Sequence, residues 1–156
     1  MKKLLALFAM LSFVTIKPLL AENAVTLICV PGQTGCITVH VKGLKNSNGM
    51  LGIALYTAKK GFPDKPEYAF ATLVNKCSSS SNEAAFKNIP YGTYAVSVLH
   101  DENSNGKMDK TFIGIPKEGF GVSNNPKIRR GPPSFDEALF SFNSQQLDLT
   151  IEMNYF

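Results

Sequence analysis

Apolar and polar residues alternate along much of the chain after residue 36, and this period of two is typical of half-buried β-strands. In residues 37–42 every second residue is apolar, and the run ends at Gly43. A second run, residues 51–57, follows an Asn48-Gly49 step, which is a strong signal for a tight turn between strands. The pattern therefore predicts a hairpin between these two strands.

The rest of the chain continues as short strands and turns. Residues 94–100 form a nearly continuous apolar run after the turn sequence at 89–92, which predicts a central strand, and residues 147–155 predict a final antiparallel strand. Residues 68–74 fit a short helix as well as a strand. Residues 112–135 are rich in Gly and Pro and have no period, so we expect a loop that is functional or covers the core. The pattern predicts an all-β fold, a single antiparallel β-sandwich of immunoglobulin-like type with a long Gly/Pro loop segment.

The N-terminus has a different pattern from the rest of the chain. Lys2 and Lys3 precede a continuous apolar run over residues 4–16, and the small residue Ala21 closes the segment. A basic start, a short apolar run and a small residue are the layout of a secretory signal peptide. The run is shorter than the roughly 18 residues that a membrane-spanning helix needs.

We therefore predict a signal peptide over residues 1–21 and one mature β-sandwich domain over residues 22–156. Cleavage is expected after Ala21, although Leu19 stands where a small residue is preferred and leaves the exact bond open. An uncleaved anchor is the alternative. The mature protein would be exported, to the periplasm or beyond the cell, and would not span a membrane.

Charge argues against a nucleic-acid partner. The full chain has 16 Lys and Arg against 12 Asp and Glu, a formal charge of +4. Removal of the signal peptide takes away Lys2, Lys3 and Lys17 and leaves 13 basic against 12 acidic residues, a charge of +1. Binding to nucleic acid needs a clustered basic face, and this nearly equal number of basic and acidic residues does not indicate one.

Three cysteines lie in a chain that is expected to reach an oxidising compartment, where disulfides form. Cys29 and Cys36 flank a Pro31-Gly32 turn step that can bring their sulfurs together. We predict a Cys29–Cys36 disulfide with Cys77 left unpaired. The alternative is that all three are reduced, buried thiols.

The polar stretch after residue 100 carries the most specific chemical signal. Asp101, Asn103 and Asn105 occupy alternate positions, Gly106 follows, and Asp109 comes three residues later. This D-x-N-x-N-G-x-x-D spacing is that of a calcium loop, in which short side chains bring oxygens to the ion and glycine permits the sharp turn.

Two further residues are candidates to complete the calcium site. The peptide carbonyl of Lys107 falls where such loops use a backbone ligand, and Glu118 is the nearest later carboxylate. Phe112 stands where a helical EF-hand would have its bidentate Glu, so the loop is not an EF-hand. The alternative is an Asn/Gly-rich β-turn with solvated side chains.

The same region resembles a known family. The stretches FKNIPYGTYAVSVLHDENSNGKMDKTFIGIPKEGFGVSNN and GPPSFDEALF are similar to the bacterial domain-of-unknown-function family 2141, small exported proteins with an HDEN-x-NG-x-x-D block and a G-x-PxEG(F/Y)G-x-SN block. The similarity covers residues 37–155. It implies no activity, because none is established for the family. A weaker similarity, F-x-N-I-P-x-G-x-Y-x-V-x-V, is shared with prealbumin-like and carboxypeptidase-regulatory-like sandwiches, which implies fold rather than function.

Two other functions are alternatives to a binding module. A hydrolase could use His100, Asp101 and Glu118, but adjacent strand residues point to opposite faces, and no known catalytic motif occurs. An outer-membrane-associated protein is suggested by the terminal Phe156, which is however out of phase with the strand before it.

We therefore expect an exported, non-enzymatic binding or structural module of the bacterial envelope. Its partner could be an envelope protein, a peptide or a carbohydrate. The chain has no Trp, the strongest platform for stacking sugars, although Tyr56 and Tyr91 could take that role.

Overall fold

The computed structural model describes residues 32–128 and 131–156. The elements are β1 (Thr34–Lys42), β2 (Met50–Tyr56), a 3-10 turn η1 (Pro66–Tyr68), β3 (Ala71–Lys76), β4 (Glu83–Pro90), β5 (Gly92–Asp101), β6 (Gly119–Val122), α1 (Phe135–Ala138), β7 (Phe140–Phe142) and β8 (Gln146–Glu152). The strands form two sheets with the orders β4-β1-β8 and β3-β2-β5-β6, and β7 pairs with the beginning of β5. The predicted all-β sandwich is confirmed.

The expected hairpin between the first two strands is wrong. β1 pairs with β4 and β8, whereas β2 pairs with β3 and β5 in the other sheet. Gly43, with φ +75°, turns the chain out of β1, and the seven residues 43–49 carry it across to the opposite sheet. A two-residue hairpin turn could not make that crossing, because stacked sheets lie about 10 Å apart.

The last strand is parallel to its neighbour rather than antiparallel as predicted. β8 pairs with β1 in register from Cys36 opposite Gln146 to Lys42 opposite Glu152. Its predecessor β7 belongs to the other sheet, so the chain crosses between sheets just before β8 and enters beside β1 in the same direction. The predicted apolar face of this strand does pack on the core.

The core lies between the two sheets. Every second residue of β1, β2 and β5 points inward, and the inward residues include Ile37, Ile53 and Val96, all essentially inaccessible to solvent. A second apolar cluster lies on the outer face of the larger sheet, where Phe135 and Ala138 of α1 cover part of β5. The larger sheet is therefore apolar on both faces.

Two regions without a clear period are strands. Residues 71–74 of the ambiguous segment belong to β3, and β6 lies inside the Gly/Pro segment. In β6, Gly119 and Gly121 face the core. A Cβ added at Gly119 would lie 2.3 Å from the Tyr155 ring, and one added at Gly121 would lie 2.6 Å from Ile151. Among the described residues, no helix is long and apolar enough to cross a membrane.

Candidate functional site

The candidate calcium loop leaves the end of β5 at Asp101. This residue is only 5% exposed, and its carboxylate accepts the N–H groups of Asn105 (3.0 Å) and Gly106 (2.7 Å). Gly106 has φ +77°, a conformation that glycine adopts without strain. The carboxylate thus folds the loop back over the end of the strand.

The other predicted side chains meet on one carboxylate oxygen. The amide groups of Asn103 and Asn105 donate to the same oxygen of Asp109, at 2.7 and 3.2 Å. The Asn103 side-chain oxygen accepts the N–H of Asn105, and the Asn105 side-chain oxygen accepts the N–H of Lys107. The structure therefore brings the predicted loop residues together as a compact polar cluster.

Glu118 joins this cluster from the far end of the loop. It is 4% exposed, and its two carboxylate oxygens accept the N–H groups of Glu102 (3.2 Å) and Asp109 (2.9 Å). One side chain therefore ties the beginning and the later part of the loop together. The bonds of Lys107 that the structure gives involve its N–H, and the ligand role of its carbonyl stays a prediction.

Within residues 32–128 and 131–156, the charges of this cluster have no ionic partner. Among the described residues, Asp101, Asp109 and Glu118 form no ion pair with a Lys, Arg or His side chain. No group of three or more His, Cys, Asp or Glu side chains in this part of the chain is arranged to hold a metal ion. A calcium site here would therefore depend on amide and peptide oxygens as well as carboxylates.

A second loop supports the base of the candidate site. Gly49 packs so tightly that an added Cβ would lie 1.9 Å from the Asp101 carbonyl oxygen, and the Asn46 amide donates to the Glu102 carboxylate at 2.7 Å. The N–H of Cys77 donates to the Gly49 carbonyl (3.3 Å). Residues 46–49 thus fix where the loop begins, a role that their own turn signal does not reveal.

His100 is held inside the sandwich. It is 0% exposed, its Nε2 donates to the Asn48 carbonyl (2.8 Å), and its Nδ1 accepts from the Tyr155 hydroxyl (2.7 Å). Burial raises the pKa of Tyr155, and the neighbouring Glu102 charge acts in the same direction, so the hydroxyl remains a donor at neutral pH. Both ring nitrogens are occupied, on the opposite face of β5 from Asp101.

The cysteines of the described chain are not bonded to each other. Cys36 and Cys77 form no disulfide within the described residues, and Cys29 lies outside them, so the Cys29–Cys36 disulfide stays a prediction. Burial raises the pKa of the buried Cys77 thiol, and the charges of Asp101 and Glu102 raise it further. The thiol is therefore protonated at neutral pH and a poor nucleophile. Residues 1–21, the predicted signal peptide, also lie outside the described part.

An apolar groove lies beside the loop, on the outer face of the larger sheet, and it was not predicted. Its volume is about 620 Å³, within the range of small-molecule sites. The signal for it was present: the outward positions of β2 hold Gly52 and Ala54, where a solvated sheet face would be polar. Tyr56, expected to stack on sugars, is instead fully buried against Phe62, so that expectation is wrong.

Comparison with known proteins identifies a family. The model of a family described as "Uncharacterized protein conserved in bacteria (DUF2141)" matches residues 39–150, which include most of the sandwich and the whole candidate loop. The family predicted from the sequence blocks is thereby confirmed. No curated protein and no solved structure matches the chain. The weaker prealbumin-like similarity stays a prediction.

Proposed function

The chain belongs to this uncharacterised bacterial family, and on that premise we propose that it is an exported, non-enzymatic β-sandwich module of the bacterial envelope. Its loop over residues 101–118 binds one calcium ion, which stabilises the loop against the end of β5. The module serves binding or structure, with an envelope protein, a peptide or a carbohydrate as its partner.

The observation that carries the calcium proposal is that, within the described part of the chain, the loop's buried carboxylates have no ionic partner. Asp101 and Glu118 are almost fully buried, and the bonds that the structure gives them come from neutral N–H groups. Buried charges in proteins are normally paired with opposite charges or bind metals. Calcium prefers carboxylate, amide and peptide oxygens, which are the groups this loop offers.

The surroundings of His100 support a non-enzymatic role. A general base must reach the proton that it removes, and both nitrogens of the buried His100 ring are already engaged by Asn48 and Tyr155. Asp101 and Glu118 are engaged in folding the loop. The alternative hydrolase made of these three residues therefore has no accessible proton acceptor.

Export predicts a processed N-terminus. We expect the protein from the envelope fraction of its producing cell to have lost residues 1–21 and to begin near Glu22. Intact-mass spectrometry of that material measures this directly. A chain that still begins at Met1, or one found in the cytoplasmic fraction, would contradict export with cleavage.

Calcium is expected to raise the thermal midpoint of unfolding. With two or three carboxylates around the ion, we expect a Kd of about 10⁻⁴–10⁻³ M. Calcium at ten to a hundred times Kd then adds about 1.4–2.7 kcal/mol, or roughly 4–8 °C. Melts with EDTA and with a calcium series measure the shift.

The matched control for this experiment is a carboxylate outside the loop. Asp109→Asn should remove most of the calcium-dependent shift, whereas Asp148→Asn, an exposed residue on β8, should keep it. Magnesium, which requires a more rigid octahedral shell, should give a smaller shift. An equal calcium shift in both variants would leave a solvated turn as the correct description.

A further inference from the structure

We propose that residues 110–117 form a hinged arm beside the groove, and that calcium bound in the loop at its base fixes the position of this arm. This regulation rests on the proposed function, because the ion is the one bound by residues 101–118. Side chains of the arm line one side of the groove, so the position of the arm sets the width of the groove.

The arm is a short hairpin closed by its own hydrogen bonds. At its base the Lys117 N–H donates to the Asp109 carbonyl at 2.8 Å. Nearer its tip the Thr111 N–H donates to the Ile115 carbonyl (2.8 Å), and the Thr111 hydroxyl accepts the Ile115 N–H (3.0 Å). These bonds lie within the hairpin, so they hold it together as one unit whatever its orientation on the sandwich.

Apolar packing does not fasten the arm to the sandwich. None of residues 110–117 is buried, and Phe112 at the tip is fully exposed. Ile113 and Ile115 line the groove, but among the described residues they belong to neither apolar cluster of the sandwich. Segments with few buried apolar contacts open at a low cost in free energy. The arm can therefore turn about its base without disturbing the core.

One ion pair fastens the side of the arm. The Lys110 ammonium lies 3.0 Å from the Asp64 carboxylate, and both residues line the groove. Apart from the base, no other hydrogen bond or ion pair joins the arm to the described part of the chain. Both side chains are close to half exposed, and a surface pair of this kind favours the closed position by about fivefold at most. This latch alone leaves part of the population open.

Two candidate calcium ligands mark the base of the arm. The chain enters the arm directly after Asp109 and leaves it at Glu118, and the Asp109 N–H donates to the Glu118 carboxylate at 2.9 Å. In EDTA these two negative groups repel each other, since like charges this close do so. A calcium ion bound by both holds each carboxylate oxygen at about 2.3–2.6 Å. Both ends of the arm are then fixed to one point.

Calcium and the latch therefore act on the arm together. In EDTA the latch alone favours the closed position, so the arm turns and the groove is wider for part of the time. With calcium the base is fixed as well, and the arm stays in the orientation that closes the latch. The exposed side chains of Phe112 and Ile113 are then presented in a single position.

Residual dipolar couplings measure the orientation of the arm relative to the sheets. The N–H and Cα–Hα couplings of residues 110–117 and those of β2 and β5 are fitted separately, in EDTA and in saturating calcium. In EDTA we expect the arm to fit one rigid body with an order parameter of about 0.6 relative to the sheets, rising to about 0.85 in calcium. An arm that is as ordered as the sheets in EDTA would overturn the hinge, whether or not calcium binds.

The amide signals of residues 101–106 separate a failure of this regulation from a failure of the calcium proposal. These residues belong to the loop but not to the arm, and their signals should shift saturably as calcium is added. A saturable shift with unchanged couplings in the arm would refute the regulation and leave calcium binding intact. No shift at any calcium concentration would refute both.

The variant Asp64→Asn removes the latch and has a matched control. In EDTA it should lower the order parameter of the arm further, whereas in calcium the value should stay close to that of the parent. Asp136→Asn removes another exposed pair, Lys59–Asp136, which is not on the arm, and should leave the order parameter unchanged. Equal effects of the two variants, or no effect of Asp64→Asn in EDTA, would contradict the latch.

Discussion

Replacement of Gly49 by alanine is expected to lower the free energy of unfolding by roughly 2–5 kcal/mol. Gly49 has φ +67°, and its missing Cβ leaves room for the Asp101 carbonyl oxygen, which an alanine Cβ would approach to 1.9 Å. Backbone cannot give way as a flexible side chain can, so either β2 or the start of the loop must move. Urea titration of parent and variant measures the loss.

The control Gly114→Ala separates the strain of a positive φ from the clash of an added Cβ with its neighbours. Gly114 also has a positive φ, +84°, but nothing lies within 4 Å of its added Cβ. The free energy of unfolding of Gly114→Ala should therefore fall only by the strain of alanine in the left-handed conformation, about 1–2 kcal/mol. If Gly49→Ala and Gly114→Ala lowered the free energy of unfolding equally, the close approach of Gly49 to Asp101 would not contribute to the loss.

The strands with strict alternation could be predicted, but their partners could not. Alternation in β1 and β8 shows which residues face the core, since successive side chains point to opposite faces. It does not show which strand lies alongside. The parallel pairing of these two strands arises because the chain crosses between sheets after β7, which is a property of the whole topology.

β6 shows a different limit. The inward positions of this strand are glycine and its apolar residues Phe120 and Val122 face outward, so its pattern does not reveal which face packs on the core. The missing side chains are what lets Tyr155 and Ile151 approach Gly119 and Gly121. The candidate loop was easier to predict because its residues lie close together in sequence. The groove was harder, because its floor and walls come from segments far apart in the chain.

Replacement of Glu118 by glutamine is expected to have two separate effects. In EDTA, an amide nitrogen would face either the N–H of Glu102 or that of Asp109, and the loss of one acceptor should cost about 1–3 kcal/mol. In calcium, the missing charge should raise the Kd by about tenfold or more. Denaturant titration gives the first quantity and calorimetric calcium titration gives the second. Glu67→Gln, an exposed carboxylate on η1, should show neither effect.

The pair of measurements distinguishes a structural clamp from a calcium ligand. The two hydrogen bonds of Glu118 fold the loop whether or not an ion is present, so stability in EDTA reports the clamp. The calcium Kd reports whether the Glu118 carboxylate also binds the ion, because Asp101 and Asp109 are present in both the parent and the variant. A loss of stability with an unchanged Kd would contradict the ligand role and leave Glu118 as a clamp. If neither quantity changed, the buried position of Glu118 between Glu102 and Asp109 would itself be contradicted.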